Sequence, residues 1–238
     1  MAEIKERPIL FSGPMVRAIL AGKKTMTRRV VNPQPVFDGA FWTLHGAGWS
    51  AGVDSVPCVQ GHSLATRNPY GQVGDRLWVR ESFSAWFHGN DWYGHPREYR
   101  KKHECSNLFY RATHNFPDDD QKWVPSIFMP RWASRLALEI TSVRIERLQE
   151  ITEEDAIAEG FKSVEKFRKL WDSMNAKRGV CKTCKGHGVV PAWSGSVDGG
   201  SLARDAKDCH ECEGRETGFG WDANPWVWVV EFKTCWSS

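Results

Sequence analysis

A chain of 238 residues, 41% of them hydrophobic, is long enough for one sizeable core or for one domain carrying an insertion. Its net charge of +3 is too small to make the whole surface attractive to nucleic acid, so an anionic partner must be met by a local basic patch. No apolar run reaches the roughly 18 residues of a membrane helix, and the polar start of the chain does not read as a secretory signal, so the expected compartment is the cytoplasm.

Ile9, Leu10 and Phe11 predict a first strand that stops at Ser12–Gly13. Ser12 is the expected N-cap of a helix opening near Pro14, and Gly22 suits its C-terminal cap. The stretch Gly22–Arg29, GKKTMTRR, then packs two lysines, two arginines and two threonines into eight residues. Such charges must be paired or hydrated. The cluster therefore belongs either to a solvated turn or to a cleft that takes an anionic or polar ligand. Thr25–Val31 predicts a strand, stopped by Asn32–Pro33.

Residues 32–72, with scattered Gly, Pro, Ser and aromatics, predict a long irregular excursion with a hairpin near Phe41–Leu44. After a turn at Gly74–Asp75, Arg76–Phe83 predicts a strand with Leu77, Val79 and Glu81 on one face and Trp78, Arg80 and Ser82 on the other. A loop over 84–106, a short strand at Leu108–Ala112 and a proline-bearing turn region at Pro125–Trp132 follow. Arg135–Leu148 alternates over a long span and predicts a strand with room for a bend. Thr152 opens a capping-box helix to Glu159, closed by Gly160, and Ser163–Met174 is a second helix with Val164, Phe167, Leu170 and Trp171 on one side. Residues 175–220 break the composition, and Pro225–Lys233 is an apolar, central final strand. Thirteen tryptophans supply flat amphipathic surface for core, interface or base stacking.

Four of the seven cysteines form two Cys-x-x-Cys pairs, Cys181/Cys184 and Cys209/Cys212, with 24 residues between the pairs. An odd total without a secretory signal argues against a disulfide framework. Each Cys-x-x-Cys turn aims two thiolates at one point, and two turns complete a tetrahedral, structural zinc (Zn2+) site. His187 and His210 lie close enough in sequence to substitute for a cysteine, and reduced or redox-active thiols are the other reading. CKTCKGHG and CHECEGRE resemble the zinc hairpins of the DnaJ chaperone family, the second lacking the final glycine, where Glu216 stands. Cys58, Cys105 and Cys235 are scattered and read as ordinary core or surface thiols.

The elements fall in a telling order. A helix leads into G-x-K-x-x-T-x-R at Gly22, Lys24, Thr27 and Arg29. GDRLWVRE follows at Gly74–Glu81, then a long strand, a helix ending Ala158–Glu159–Gly160, and the terminal PWVWVVEF. This resembles the ASCH-domain family, closest to the members found in bacteriophages and prophages, over residues 8–174 and 224–234. The family motif usually has glutamate where Thr27 stands. The resemblance implies an α+β fold built on a PUA-like β-barrel with flanking helices. Residues 1–174 and 221–238 would form the barrel, and 175–220 an inserted zinc-binding hairpin.

Bacterial N4-acetylcytidine amidohydrolases of that family carry threonine at the same motif position. By motif position their lysine, threonine and glutamate correspond to Lys24, Thr27 and Glu159. The resemblance thus implies a hydrolase that removes an acyl group from the exocyclic amine of a modified cytidine. Two alternatives stay open: a non-catalytic module for RNA or a modified base, and a ribonuclease. Arg29, Arg80 and Glu81 are the expected substrate-binding residues. Thr27 offers a hydroxyl. Lys24 acts as a base only when neutral, which nearby cations and burial favour. Residues three apart diverge in a regular strand, so a shared site requires an interruption between Gly22 and Thr27.

Overall fold

The run WVWVV near the C-terminus is apolar at every position because both faces of its strand are covered. The computed structural model describes residues 4–87, 105–114, 123–178, 189–193, 204–208 and 218–236. In chain order these form β1 (Glu6–Leu10), α1 (Gly13–Leu20), β2 (Met26–Val30), β3 (Val36–Phe37), β4 (Phe41–Leu44), β5 (Ala47–Ser50) and β6 (Ser55–Pro57). Then come α2 (Ser63–Arg67), β7 (Arg76–Arg80), β8 (Phe83–Phe87), β9 (Cys105–Tyr110) and β10 (Leu136–Arg147). The second half closes with α3 (Glu153–Ala158), α4 (Val164–Asn175), β11 (Val189–Trp193), β12 (Arg204–Asp208) and β13 (Trp226–Trp236). This is a mixed α+β architecture dominated by strands.

The main sheet runs β1-β7-β10-β13-β2, with β6 also paired to β10. The pairing of β1 with β7 is parallel and the rest is antiparallel. Within β13, Trp226, Trp228, Val230 and Phe232 point into one apolar cluster with Ile9, Leu77, Leu138 and Ile145. Val227 and Val229 point the other way, against Phe167 and Trp171 of α4 and Ala156 of α3. Fully burying such a side chain contributes about 1.5–3 kcal/mol, so the strand is held from both sides. The bend allowed for in β10 is a register shift between Ile140 and Ser142. It lets the first half of β10 pair with β7 and the second half with β6.

Strand pairing does not close this sheet into a barrel among the described residues: β1 and β2 end the order and share no ladder. Pro8 sits in β1 and has no N–H to give, as suits an edge strand. The gap is bridged by a side chain, Arg29 Nη2 donating to Leu10 O at 3.0 Å.

The excursion over 32–72 is more ordered than its composition implies. β3, β4 and β5 form a three-stranded meander, turned at His45 and Gly46, both at positive φ, as a two-residue hairpin loop requires. Trp42 and Trp49 of this meander meet the Trp226 ring edge-on at 5.6 and 5.2 Å. Strands this short carry no readable period, and aromatic packing from another part of the chain holds them. Likewise Arg76–Phe83 is not one strand: β7 ends at Arg80, and β8 begins at Phe83 and pairs with β9, inside the expected loop.

β11 and β12 form a two-stranded antiparallel ribbon. Cys181, Cys184, Cys209 and Cys212 lie outside the described residues. Among those described, no helix is long and apolar enough to cross a membrane.

Candidate functional site

The interruption expected between Gly22 and Thr27 is present, and two glycines create it. α1 ends with Gly22 at φ +68°, while the Gly22 and Lys23 N–H groups bond back to Ile19 O and Ala18 O at 2.9 and 2.8 Å. This paired back-bonding is the Schellman arrangement, which favours a residue free to adopt left-handed backbone. Lys24 is thereby kept out of β2, which begins at Met26. It makes an isolated antiparallel bridge to Glu159, and Thr25 N donates to Ala158 O at 2.8 Å.

On the far side, α3 opens at Thr152, whose hydroxyl accepts from Asp155 N while Asp155 reaches back, the capping box read from the sequence. The helix stops because Gly160 adopts φ +90°. A Cβ there would stand 3.2 Å from Ala18 Cβ and 3.5 Å from Lys24 Cβ. Glycine at 160 thus permits both the turn and the close approach of Lys24 to the end of α3.

Lys24 and Glu159 meet in the interior, 1% and 3% exposed. Lys24 Nζ donates to Glu159 Oε2 at 2.6 Å, Met26 O at 2.7 Å and Glu159 O at 2.9 Å. Three acceptors satisfy the three N–H bonds of an ammonium. Burial works against that charge and pushes the lysine pKa below its ordinary value; Glu159 opposes the shift, and Arg29 and Arg28 add to it. The pair can lose its charge without loss of a proton: transfer from Nζ to Oε2 leaves a neutral amine beside a neutral carboxyl. Glu159 Oε1 accepts no hydrogen bond from a described residue, and Arg28 Nη1 lies 3.8 Å from it.

Thr27 does not touch Lys24. It is fully buried, and its Oγ1 accepts from Arg29 Nη1 at 2.7 Å. Arg29 and Lys24 converge on one ring, their charges 5.2 and 5.6 Å from the centre of Phe11. The structure thus brings Lys24 and Glu159 into direct contact and connects Thr27 to that neighbourhood through Arg29.

Glu159, Arg28 and Arg29 line a cleft of about 450 Å³, within the range of small-molecule sites. Its other wall is apolar and aromatic, with Phe161, Phe167, Trp171 and Met174 among the lining residues and Arg178 beside them. Phe167, Leu170 and Trp171 were legible as one helix face; that Leu170 also lines a cleft was not. Arg28 is another residue the spacing did not single out. It supports the floor from beneath, its Nη2 donating to Glu146 Oε1 at 2.7 Å and Asp155 Oδ2 at 2.6 Å.

Arg80 and Glu81, expected at the ligand, do not line this cleft. The Arg80 guanidinium rests 4.7 Å over the Trp78 ring. Glu81 is buried in a two-pronged contact with Arg135, at 2.8 and 3.0 Å. Cys58 is a poor nucleophile, because burial pushes its pKa up to about 12. The described residues contain no group of three or more potential metal ligands.

No protein-family model, no curated protein and no solved structure matches the chain.

Proposed function

We propose that the chain hydrolyses an acylated exocyclic amine of a cytidine-like nucleoside bound in the 450 Å³ cleft. The observation that carries this reading is Glu159, which lines the aromatic cleft while its Oε2 accepts from Lys24 Nζ behind it at 2.6 Å and its buried Oε1 takes no hydrogen bond from a described residue. A flat base stacks on the aromatic wall, and an N–H on its exocyclic nitrogen suits the free Oε1.

Proton transfer within the pair gives Lys24 as base and Glu159 as acid. Arg29 turns from Thr27 to the acyl oxygen, which frees the Thr27 hydroxyl and supplies charge stabilisation in one motion. Thr27 Oγ attacks the acyl carbon as its proton passes through a water to Lys24, since the two side chains do not touch. The carbon–nitrogen bond breaks as Glu159 protonates the leaving amine. The Lys24 ammonium then returns its proton to Glu159, water attacks the acyl carbon as Lys24 takes the proton of the water, and Glu159 gives its own to the departing Thr27 oxygen, which releases the acid and restores both residues.

The test is release of cytidine from N4-acetylcytidine, followed for the wild type and for Glu159→Gln. The variant keeps its shape but cannot give a proton, and the rate should fall by about a hundredfold or more. Equal rates in both proteins would refute the mechanism. A second reading, a binding module without chemistry, is favoured by the complete burial of Thr27 and the three acceptors around Lys24. It predicts saturable retention of N4-acetylcytidine with no turnover. RNA cleavage lost in Glu159→Gln would instead point to a nuclease.

The PUA-like barrel and the zinc hairpin belong to the same reading. The β11–β12 ladder pairs Val189 with Asp208, so Cys184 and Cys209 stand five residues before and one residue after its first pair in sequence. Four cysteine thiolates are a complete donor set for structural zinc. Native mass spectrometry should find one zinc per chain. Chelation should cost the ribbon its protection from proteolysis while the Lys24 cleft persists. A fully protected, metal-free ribbon would remove the zinc.

A further inference from the structure

A second hollow, of about 800 Å³, is lined among others by Gln34, Phe37, Trp42, Arg147, Pro225 and Trp226. Arg147 is the last residue of β10. Its guanidinium carbon lies 5.0 Å from the Trp42 ring centre and 5.1 Å from that of Trp226. Phe37 leans on Trp42 at 4.7 Å and keeps 43% of its surface exposed. Arg147 forms no ion pair, and its side chain no hydrogen bond, with any described residue. Burial lowers its pKa, and the field of Asp54 opposes this from beyond ion-pairing distance.

The remaining polar groups of this hollow are unbalanced in one direction. The Gln34 amide is spent on backbone, its nitrogen donating to Val31 O and Trp226 O and its oxygen accepting from Trp226 N. The Trp226 indole N–H, itself buried, has no acceptor among the described residues. No carboxylate is among the described residues that line it. Donors without acceptors ask for an anion. A planar guanidinium held over two indoles is already ordered for a two-pronged contact with phosphate. The exposed Phe37 ring offers a face on which any base can stack.

We propose that this hollow is a binding site for a nucleoside monophosphate, its phosphate on Arg147 and its base on Phe37. One cation matches one phosphate. A groove that follows a nucleic-acid strand needs a row of them. The site is separate from the Lys24–Glu159 cleft and does not depend on the function proposed for it.

Isothermal titration with CMP and AMP, beside cytidine, adenosine and an eight-residue oligouridylate, tests the proposal. Both monophosphates should bind, with the nucleosides weaker by about tenfold or more, as loss of a charge-assisted contact implies. Arg147→Gln should weaken CMP binding by a similar factor and Arg147→Lys by less, while Glu159→Gln binds as the wild type does. Near-UV circular dichroism checks that Arg147→Gln keeps its tryptophan packing. If it does not, Phe37→Ala, at an exposed ring, must weaken CMP binding instead. Equal affinity of wild type and an intact Arg147→Gln overturns the assignment. So does binding of the oligonucleotide without the monophosphates, or loss of CMP binding in Glu159→Gln.

Discussion

Replacing Lys24 with methionine should lower the unfolding free energy by about 3–5 kcal/mol, read as a shifted midpoint at constant slope in urea denaturation. Methionine replaces the apolar stem, so little of the loss is cavity. The loss comes from what stays behind. Glu159 keeps a buried carboxylate 3.8 Å from its next cation, and Met26 O and Glu159 O lose a donor. The double variant Lys24→Met/Glu159→Met removes both charges and should recover most of the difference, since an ion pair exchanged whole for apolar groups is often neutral. A single variant within about 1 kcal/mol of wild type, the range of exposed pairs, would contradict the burial described here.

The same residue fixes a pH dependence. Burial lowers the Lys24 pKa in the folded protein below its ordinary value of 10.5, so the unfolded chain binds that proton more tightly. The stability carried by Lys24 is therefore constant below its folded pKa, rises with pH between that pKa and 10.5, and levels off above. The difference between wild type and Lys24→Met should widen as pH rises from the lowered folded pKa towards 10.5. A difference that narrows would reverse the sign of the shift.

Arg28→Met should cost a comparable amount, about 3–5 kcal/mol, for a different reason. Its side chain is wholly buried and its Nη2 holds two carboxylates together, Glu146 at 2.7 Å and Asp155 at 2.6 Å. Glu146 retains Arg144 at 2.7 Å after the change, and Asp155 retains Arg144 at 3.7 Å, so part of the network survives. Arg28→Lys should restore less than half of the loss, because one ammonium cannot fill both nitrogen positions, Nη2 between the two carboxylates and Nη1 against Met26 Sδ and 3.8 Å from Glu159 Oε1. Thermal denaturation of the three proteins checks this ranking. A fully stable Arg28→Lys would mean that one charged nitrogen between these carboxylates suffices. Because the group is buried, added salt should leave the ranking unchanged.

Local chemistry was readable from the order of residues alone. The cap glycine at 22, the capping box at Thr152, the stop at Gly160 and the two-faced β13 follow from turn geometry, capping and apolar pattern within a few residues. The GKKTMTRR cluster and the need for a break before Thr27 were legible in the same way, as was the amphipathic face of α4. Which partners meet was settled by long-range packing. Lys24 and Glu159 are 135 positions apart, and their contact exists because α3 packs beside the start of β2 with Gly160 allowing the approach. The same holds for Glu81, paired with Arg135 across 54 positions, and for Arg147 between Trp42 and Trp226. Local propensity carries no term for such distant pairings. They are set by the register of long strands and by the burial that register enforces, which also left β1 and β2 bridged by Arg29 instead of closed by a ladder.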